Sequence, residues 1–218
     1  MEKILVVCAH PDDETLGLGG TIRNHILKKD SVFLLCFSHG QFDRDESDRG
    51  ISEREQQAKN ALKILGTKNS RFLRYPDQKL DTISLTKLAK DIENVVKKIK
   101  PNRVYTHFWE DMNQDHRRVF EATLIAARQT PQSPITELIC YETPSSTDWG
   151  KRTFQPNYFV DITKTLKYKL KALKNYKDEI SKFPHPRSLE AVEHRAAYWG
   201  SSVGRKYAEA FMIFRKID

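Results

Sequence analysis

The sequence lacks a long hydrophobic run. Its 218 residues contain no apolar stretch that approaches the roughly 20 residues needed by a membrane-spanning helix. Met1-Glu2-Lys3 leads directly into the apolar run Ile4 to Ala9, and nothing there has the pattern of a signal peptide. We therefore expect neither a transmembrane segment nor an export signal.

Cysteine is scarce as well. The three cysteines, Cys8, Cys36 and Cys140, each lie in an apolar, strand-like run. Such positions are typical of small core residues in a reducing compartment, and not of a disulfide framework or a set of metal ligands. We therefore predict a cytoplasmic protein that is stabilised by its hydrophobic core.

Acidic residues are outnumbered, because 37 Lys and Arg face 29 Asp and Glu and give a formal net charge of +8. This balance favours anionic partners such as phosphorylated sugars, acidic lipids or nucleic acid. No recognised nucleic-acid-binding motif accompanies the charge, so we expect no nucleic-acid partner. We expect a small-molecule substrate, which could carry a phosphate or lipid linkage. The protein itself could form a homo-oligomer.

Predicted strands alternate with predicted helices along most of the chain, which is the pattern of a mostly parallel α/β sheet flanked by helices. Ser52 and Glu55 have the spacing of a capping box, so we predict a helix N-terminus there, and Gly66 suits the end of that helix. We predict one Rossmann-like domain over residues 1–218. Residues 1–142 would form its core, and the less regular residues 143–218 would form active-site walls and closing helices.

One imidazole and three carboxylates crowd into the segment that follows the first predicted strand, His10-Pro11-Asp12-Asp13-Glu14. Ligands of open parallel sheets bind beyond the carboxyl ends of the strands. His10 and Asp13 are three residues apart and can converge on one metal ion, which leaves Asp12 free to act as a base on metal-bound water. The alternative is an acidic helix N-terminus without a metal.

A second polar segment, Asp111 to Arg117, also follows a predicted strand and precedes a helix. Its His116 is a candidate third ligand, which would give two imidazoles, one carboxylate and an open position. The alternative is a capping sequence, with Asn113 or Asp115 as the N-cap.

Together the two segments resemble the PIG-L/LmbE-like family of metal-dependent N-acetylglucosamine deacetylases. Ala9-His10-Pro11-Asp12-Asp13-Glu14 matches the AHPDDE motif of that family residue for residue, and Asn113-Gln114-Asp115-His116 stands where the family has HxDH. The resemblance implies a Rossmann-like fold, zinc bound by His10, Asp13 and His116, and Asp12 as general base. Fe(II) suits the same ligand set.

The sequence departs from the family at Asn113, where the resemblance implies a histidine that stabilises the oxyanion. Asparagine can donate a neutral hydrogen bond to an oxyanion but cannot carry a proton at neutral pH. Asp12 could instead pass its proton to the leaving amine, and His39, His107 and His185 are further candidates for that role.

Two other positions resemble substrate-binding residues of the family. Arg54 lies where the family has an Arg that contacts the substrate, and Asp77 where it has an acid that binds sugar hydroxyls. Ordinary surface helix and turn residues are the alternative for both. The segments 142–149 and 185–188 resemble stretches of bacterial members, and they are either active-site walls or plain surface loops.

The function predicted from the sequence is therefore that of a zinc-dependent hydrolase. It would remove the N-acetyl group from an N-acetylglucosamine-type amino sugar or a conjugate of one. A sugar-nucleotide-binding module without hydrolytic activity is the alternative, because Gly17, Gly19 and Gly20 could suggest a phosphate loop. Their spacing does not fit G-x-G-x-x-G. The acetylated substrate, the native metal and the pathway are not specified by the sequence.

Overall fold

The computed structural model describes residues 1–40 and 47–218. Seven strands and six α-helices follow one another in the described part of the chain, together with one 3₁₀ turn at Leu80–Thr82. In chain order they are β1 Lys3–Cys8, α1 Asp13–Leu27, β2 Ser31–Ser38, α2 Asp48–Leu65, β3 Ser70–Tyr75, α3 Leu85–Ile99, β4 Arg103–His107, α4 Gln114–Ala126, β5 Glu137–Tyr141, β6 Tyr158–Asp161, α5 Leu166–Leu173, α6 Leu189–Ser202 and β7 Ala208–Lys216.

All seven strands form one sheet in the order β3-β2-β1-β4-β5-β7-β6. The first five strands are parallel, with Ile4 of β1 paired to Val32 of β2 on one side and to Arg103 of β4 on the other. Strand β7 runs antiparallel to both β5 and β6. The predicted mostly parallel sheet flanked by helices is thereby confirmed.

The central strand β1 is apolar on both faces because both faces are covered by helices. Ile4 and Val6 belong to the core that includes residues of α1, α2 and α5, whereas Leu5 and Val7 belong to the core that includes residues of α3 and α4. The uninterrupted apolar run at the start of the sequence is therefore a consequence of the strand's central place.

The N-terminus of α2 differs from the prediction. The helix begins at Asp48, and the hydroxyl of Ser47 accepts a hydrogen bond from the Gly50 N–H. The predicted cap at Ser52 is wrong, because an earlier serine already caps the helix and Ser52 lies inside its first turns. The predicted end is correct, since Gly66 follows the helix with a left-handed φ of 100°.

Residues 143–218 contribute to the same sheet as the rest of the chain, because they supply β6 and β7. They also supply α5, which packs against α1 and α2, and α6, which packs against β7. No described helix is both long and apolar enough to cross a membrane.

The order of the parallel strands places a switch point between β1 and β4. From β1 the chain crosses outward to β2 and β3 on one side, and from β4 it continues to β5 on the other side. A crevice for ligands forms at such a point, just beyond the carboxyl ends of the two strands. The segments that follow β1 and β4 carry His10 and His116, so the fold brings the two polar segments of the sequence together there.

Candidate metal centre and active site

The turn between β1 and α1 is held by its own polar groups. The His10 N–H donates a hydrogen bond to Oδ2 of Asp13 at 2.8 Å, and the Asp13 N–H lies 3.4 Å from the His10 carbonyl oxygen. Pro11 ends the strand, because it has no N–H to donate to the sheet. The turn therefore presents His10 and Asp13 on the same side, as their spacing in the sequence suggested.

Three side chains from this turn and from α4 converge. Nδ1 of His10 lies 3.2 Å from Nε2 of His116. The Asp13 carboxylate lies 3.4 Å from Nδ1 of His10 and 3.3 Å from Nε2 of His116. All three residues are buried, and they form a group that could hold a metal ion. The three predicted ligands thus lie close together in the folded chain.

Carboxylates behind the two imidazoles determine which ring nitrogens face this point. Nε2 of His10 lies 2.9 Å from Oδ1 of Asp77 and 3.1 Å from Oδ2 of Asp115. Nδ1 of His116 lies 3.1 Å from Oδ1 of Asp111. A carboxylate that accepts the proton of one ring nitrogen leaves the other nitrogen as an acceptor, which is the usual arrangement behind metal-binding histidines.

The converging atoms fit a cation. Oδ1 of Asp13 is buried and accepts no hydrogen bond from any residue in the described part of the chain. Burial disfavours the charged form of His116, but Asp13 and Asp111 outweigh it and raise the His116 pKa to about 9. A carboxylate oxygen and two ring nitrogens held this close form a donor set that fits a divalent metal ion.

Asp115 supports the centre through backbone hydrogen bonds, and with His10 and Asp77 it forms a second group that could hold a metal ion. Its two oxygens accept backbone hydrogen bonds from Gln78, at 2.9 Å, and Leu80, at 3.0 Å. These bonds join the loop after β3 to the N-terminus of α4. Asp115 therefore fixes the position of His10 through the loop that also carries Asp77.

His107, at the end of β4, lies below the centre. Its ring stacks on that of His116 with the centroids 3.9 Å apart, and its Nε2 accepts a hydrogen bond from the Ala9 N–H at 2.9 Å. Burial, followed by the neighbouring His116, lowers the pKa of His107 to about 4. His107 is thus a neutral packing and hydrogen-bonding residue of the floor.

Asp12 lines the cavity beside His10 and is held by two arginines. It is 2% exposed, and its Oδ2 lies 3.3 Å from Nη1 of Arg187 and 3.7 Å from Nη2 of Arg54. Burial raises the pKa of Asp12 to about 7, although the two arginines act in the opposite direction. A carboxylate whose pKa lies near 7 can both accept and return a proton.

Arg54 is buried beside this turn and is not the surface residue that the alternative interpretation described. Its Nη2 donates to the Pro11 carbonyl oxygen at 2.7 Å and lies 3.1 Å from Oε1 of Glu179. The guanidinium also lies over the Tyr176 ring, 5.3 Å from its centroid. Arg54 therefore supports the backbone next to Asp12 as well as facing the cavity.

A cavity of about 230 Å³ opens over this cluster. Asn113 contributes to its wall and also caps α4, because its Oδ1 accepts a hydrogen bond from the Asp115 N–H at 2.9 Å. Asn113 is therefore the N-cap of α4, as the capping alternative states, and it also lines the cavity. The described residues that line the cavity are His10, Asp12, Gly40, Arg54, Asp77, Gln78, Asn113, Glu179 and Arg187.

None of the three other candidate histidines is among the described residues of this wall. His39 is buried at the end of β2, and His107 lies beneath His116. His185 is partly exposed and contacts Trp149 edge to face, with the ring centroids 6.4 Å apart. The geometry therefore gives no support to any of them as a proton donor.

The sequence of the chain matches a family model that is described as PIG-L: GlcNAc-PI de-N-acetylase. The match covers residues 5–127, which is more than half of the chain and includes both polar segments. The chain belongs to the PIG-L family. The resemblance to PIG-L/LmbE-like deacetylases is thereby confirmed.

Two relatives show how far the similarity extends. The PIG-L chain is 32% identical over 180 residues to the uncharacterized deacetylase YaiS of Escherichia coli (strain K12), with 80% of this chain and 90% of YaiS covered. It is 29% identical over 222 residues to the diacetylchitobiose deacetylase of Thermococcus kodakarensis (strain ATCC BAA-918 / JCM 12380 / KOD1), with 96% of this chain and 82% of that protein covered.

Among solved structures, the conserved protein TT1542 from Thermus thermophilus has a similar fold. The TM-score is 0.83 at 24% identity, and the match covers 100% of this chain and 97% of that protein. The similarity supports the fold assignment, and at this identity it supports nothing more.

Reasoning from the sequence missed four supporting residues of this PIG-L site. Asp111 was part of the second polar segment but had no role, and Asp115 was considered only as a helix cap. Glu179 was not considered, and Arg187 was only one member of a possible wall. The signal for Asp111 was available, because a buried histidine that binds metal needs an acceptor on its second nitrogen.

Proposed function

We propose that this PIG-L protein is a metal-dependent hydrolase that removes the N-acetyl group from an N-acetylglucosamine-type amino sugar or a conjugate of one. The observation that carries the proposal is the convergence of Nδ1 of His10, the Asp13 carboxylate and Nε2 of His116 beside a buried carboxylate, Asp12. Membership of a family of deacetylases supports the same reaction.

His10, Asp13 and His116 would hold the metal, for which zinc is our proposal and Fe(II) the competitor with the same ligand preference. Such a cation, when bound, polarises an acetyl oxygen and lowers the pKa of water to about 7. Three protein ligands of this kind, drawn from the described part of the chain, would leave coordination positions open for water or substrate. Asp77, Asp115 and Asp111 keep the two imidazoles in the required tautomers.

Asp12 would act as the general base and then as the general acid. It takes a proton from the attacking water, a bond forms between the water oxygen and the acetyl carbon, and the carbon–nitrogen bond breaks. Asp12 returns the proton to the leaving nitrogen, so that the products are acetate and an amine. Its buried position beside the cavity supports both steps, since none of His39, His107 and His185 lines the cavity.

Asn113 would stabilise the oxyanion as a neutral donor. Its Oδ1 is engaged at the helix cap, whereas its Nδ2 donates no hydrogen bond to any residue of the described ranges. Nδ2 is therefore the group that the side chain offers to the cavity. A preorganised neutral donor of this kind can replace a histidine at an oxyanion.

Arg54 and Asp77 would contact the sugar, because both line the cavity. A volume of about 230 Å³ is smaller than the roughly 300–1,000 Å³ of sites for drug-sized ligands. We infer that the cavity takes one sugar ring and that any further part of a conjugate lies outside it. A phosphate or lipid linkage would have to be accommodated there.

The sugar-nucleotide-binding alternative gains no support from the three glycines. Gly17, Gly19 and Gly20 lie inside α1 and are buried. A Cβ at Gly17 would collide with the Tyr141 ring, and one at Gly20 would lie 2.7 Å from Cγ2 of Ile162. The glycines thus allow α1 to pack closely and do not form a loop around phosphate.

We infer a reducing compartment, and so the cytoplasm, for this protein. The support is that Cys8, Cys36 and Cys140 are all buried free thiols.

The test is an acetate-release assay on metal-depleted protein reconstituted with Zn²⁺ or Fe²⁺. The substrates are N-acetylglucosamine, diacetylchitobiose, and N-acetylglucosamine linked to a nucleotide, to phosphoinositol or to malate. We expect stoichiometric acetate and free amine from at least one of them, and none from the metal-depleted protein. Absence of acetate with every substrate and both metals would refute the proposed reaction, and nucleotide binding without turnover would favour the alternative.

A further inference from the structure

The backbone of Asp12 has an unusual conformation. Its φ of 126° with ψ of −29° lies outside the regions that residues with a Cβ normally adopt. Such a conformation is strained and persists only where the surroundings enforce it. Part of the enforcement is local, because the Asp12 N–H donates to Oε2 of Glu14 at 3.1 Å and its carbonyl oxygen accepts from Thr15 and Leu16.

The side chain of Asp12 belongs to a closed ring of four charged groups. Nη1 of Arg187 lies 3.3 Å from Oδ2 of Asp12 and 3.3 Å from Oε2 of Glu179. Nη2 of Arg54 lies 3.7 Å from the same Oδ2 and 3.1 Å from Oε1 of Glu179. Glu179 therefore bridges the two guanidiniums, and the distances of 3.3 and 3.7 Å from the guanidiniums to Asp12 are both to Oδ2.

The other oxygen of Asp12 has no such restraint. No residue within 1–40 and 47–218 donates a hydrogen bond to Oδ1, whereas Oδ2 accepts one from Nη1 of Arg187 and lies 3.7 Å from Nη2 of Arg54. Oδ2 of Asp12 is thus held by the arginines, and Oδ1 is available for the reaction. A base that is fixed through one oxygen presents the other in a single direction, which is how proximity and orientation lower a barrier.

Arg187 is brought to Asp12 by the long connection between α5 and α6. Its Nε donates to Oγ of Ser145 at 3.0 Å and lies 3.4 Å from the Pro144 carbonyl oxygen. The guanidinium thus contacts the 143–149 loop with one edge and the Asp12–Glu179 pair with another. A planar, forked group can make both contacts, and a point charge cannot.

We propose that Arg187 is a positioning residue for Asp12, and that with Glu179 it directs Oδ1 of Asp12 toward the reacting water. The inference rests on the proposed deacetylase function, because it gives Asp12 the role of the base. It assigns Arg187, which also lines the cavity, to the chemical step through Asp12 and not to binding of the sugar.

The decisive experiment is a double-mutant cycle of Arg187→Gln and Asp12→Asn on the Zn²⁺-loaded protein, with acetate release as the readout. We expect Arg187→Gln to lower kcat by about 10²-fold, the effect of a misplaced reacting group, with KM within about threefold of the original. Asp12→Asn combined with Arg187→Gln should be no slower than Asp12→Asn alone, because Arg187 acts through Asp12.

A matched control is Arg205→Gln, because Arg205 is 60% exposed in its ion pair with Asp161 and lies outside this ring. It should leave kcat and KM unchanged. Glu179→Gln is a second, milder variant, which should lower kcat in the same direction if Arg187→Gln fails to fold. A rise in KM without a fall in kcat, or additive losses in the double variant, would overturn the proposal and make Arg187 a substrate-binding residue.

A crystal structure of Arg187→Gln provides a readout that does not depend on turnover. We expect bound Zn²⁺ to remain equal to that of the unmodified protein, since Arg187 contacts none of the three convergent side chains, and we expect the Asp12 carboxylate to be displaced. An undisturbed carboxylate would overturn the proposal. If the unmodified protein releases no acetate from any substrate, the proposed function fails, whereas this structural result still decides the positioning role.

Discussion

Replacing Asp111 with Asn should weaken metal binding although Asp111 is not one of the three convergent residues. Asp111 is 1% exposed, and its Oδ1 lies 3.1 Å from Nδ1 of His116. Its Oδ2 accepts hydrogen bonds from Thr147 at 2.5 Å and Ser146 at 3.2 Å. The nearly isosteric amide keeps this packing but removes the negative charge that holds the His116 proton on Nδ1.

The magnitude follows from the burial of the contact. Water cannot replace the lost carboxylate at a residue so little exposed, so the full effect of such a supporting group is expected, about 10–100-fold in metal affinity. This range corresponds to about 1.4–2.7 kcal/mol of binding free energy. The His116 pKa, which Asp13 and Asp111 raise to about 9, shows that the imidazole depends on these two carboxylates.

The assay is a Zn²⁺ competition titration of metal-depleted protein against a chelator of known affinity. The control is Asp91→Asn, since Asp91 is also a little-exposed carboxylate and accepts a hydrogen bond from Tyr75, but belongs to α3. We expect the control to bind Zn²⁺ as the unmodified protein does. Equal affinity for the Asp111 variant and this control would refute the idea that Asp111 orients His116.

Three further predictions concern other parts of the molecule. Asn113→Ala should lower kcat by about 10²–10³-fold through loss of the oxyanion donor, whereas Asn113→His should retain turnover. Steady-state acetate release measures both variants, and full activity of the alanine variant would exclude the role of Asn113 as oxyanion donor. Lys169→Met should lower the free energy of unfolding by about 3–5 kcal/mol in urea titrations, because Glu209 stays buried and loses its ion-pair partner at 2.7 Å. The control Lys164→Met changes an exposed residue and should leave the free energy of unfolding unchanged. Burial lowers the pKa of His25, so the unfolded chain binds more protons, and the free energy of unfolding should fall as the pH drops below about 6.5. His25→Gln should make the free energy of unfolding depend less on pH in this range. An unchanged pH dependence would contradict the role given to His25.

The fold was predictable because its signals are local. Each of three elements is indicated by residues within it or next to it. These signals are the run Ile4 to Cys8, which is apolar on both faces of its strand, the amphipathic pattern of α3 and the glycine after α2. The exact start of α2 was not predictable in this way. Ser47 and Ser52 are both suitable caps, and the choice between them depends on packing that the sequence does not display.

The centre of the site was predictable for a related reason. His10, Asp12 and Asp13 are adjacent in the sequence, and the strand order brings His116 to them from the neighbouring switch-point strand. The family resemblance supplied the roles of these residues, which the spacing alone left open. Their roles remain predictions for the experiments described above.

The supporting groups were not predictable, because they depend on how separate loops close over the centre. Glu179 and Arg187 come from the connection between α5 and α6, more than 160 residues after Asp12 in the sequence. Their pairing with Arg54 satisfies buried charges, and only the folded structure shows which charges are buried together. A single sequence therefore indicates the reactive groups better than the groups that orient them.

The central claim is that the two adjacent acids have different tasks, Asp13 for the metal and Asp12 for the proton. The most direct measurement compares Asp12→Asn with Asp13→Asn for bound Zn²⁺, by elemental analysis after reconstitution, and for acetate release. We predict that Asp12→Asn keeps one Zn²⁺ per chain but retains only residual turnover, while Asp13→Asn loses the metal itself. Full activity of Asp12→Asn, or unchanged metal in Asp13→Asn, would contradict the account.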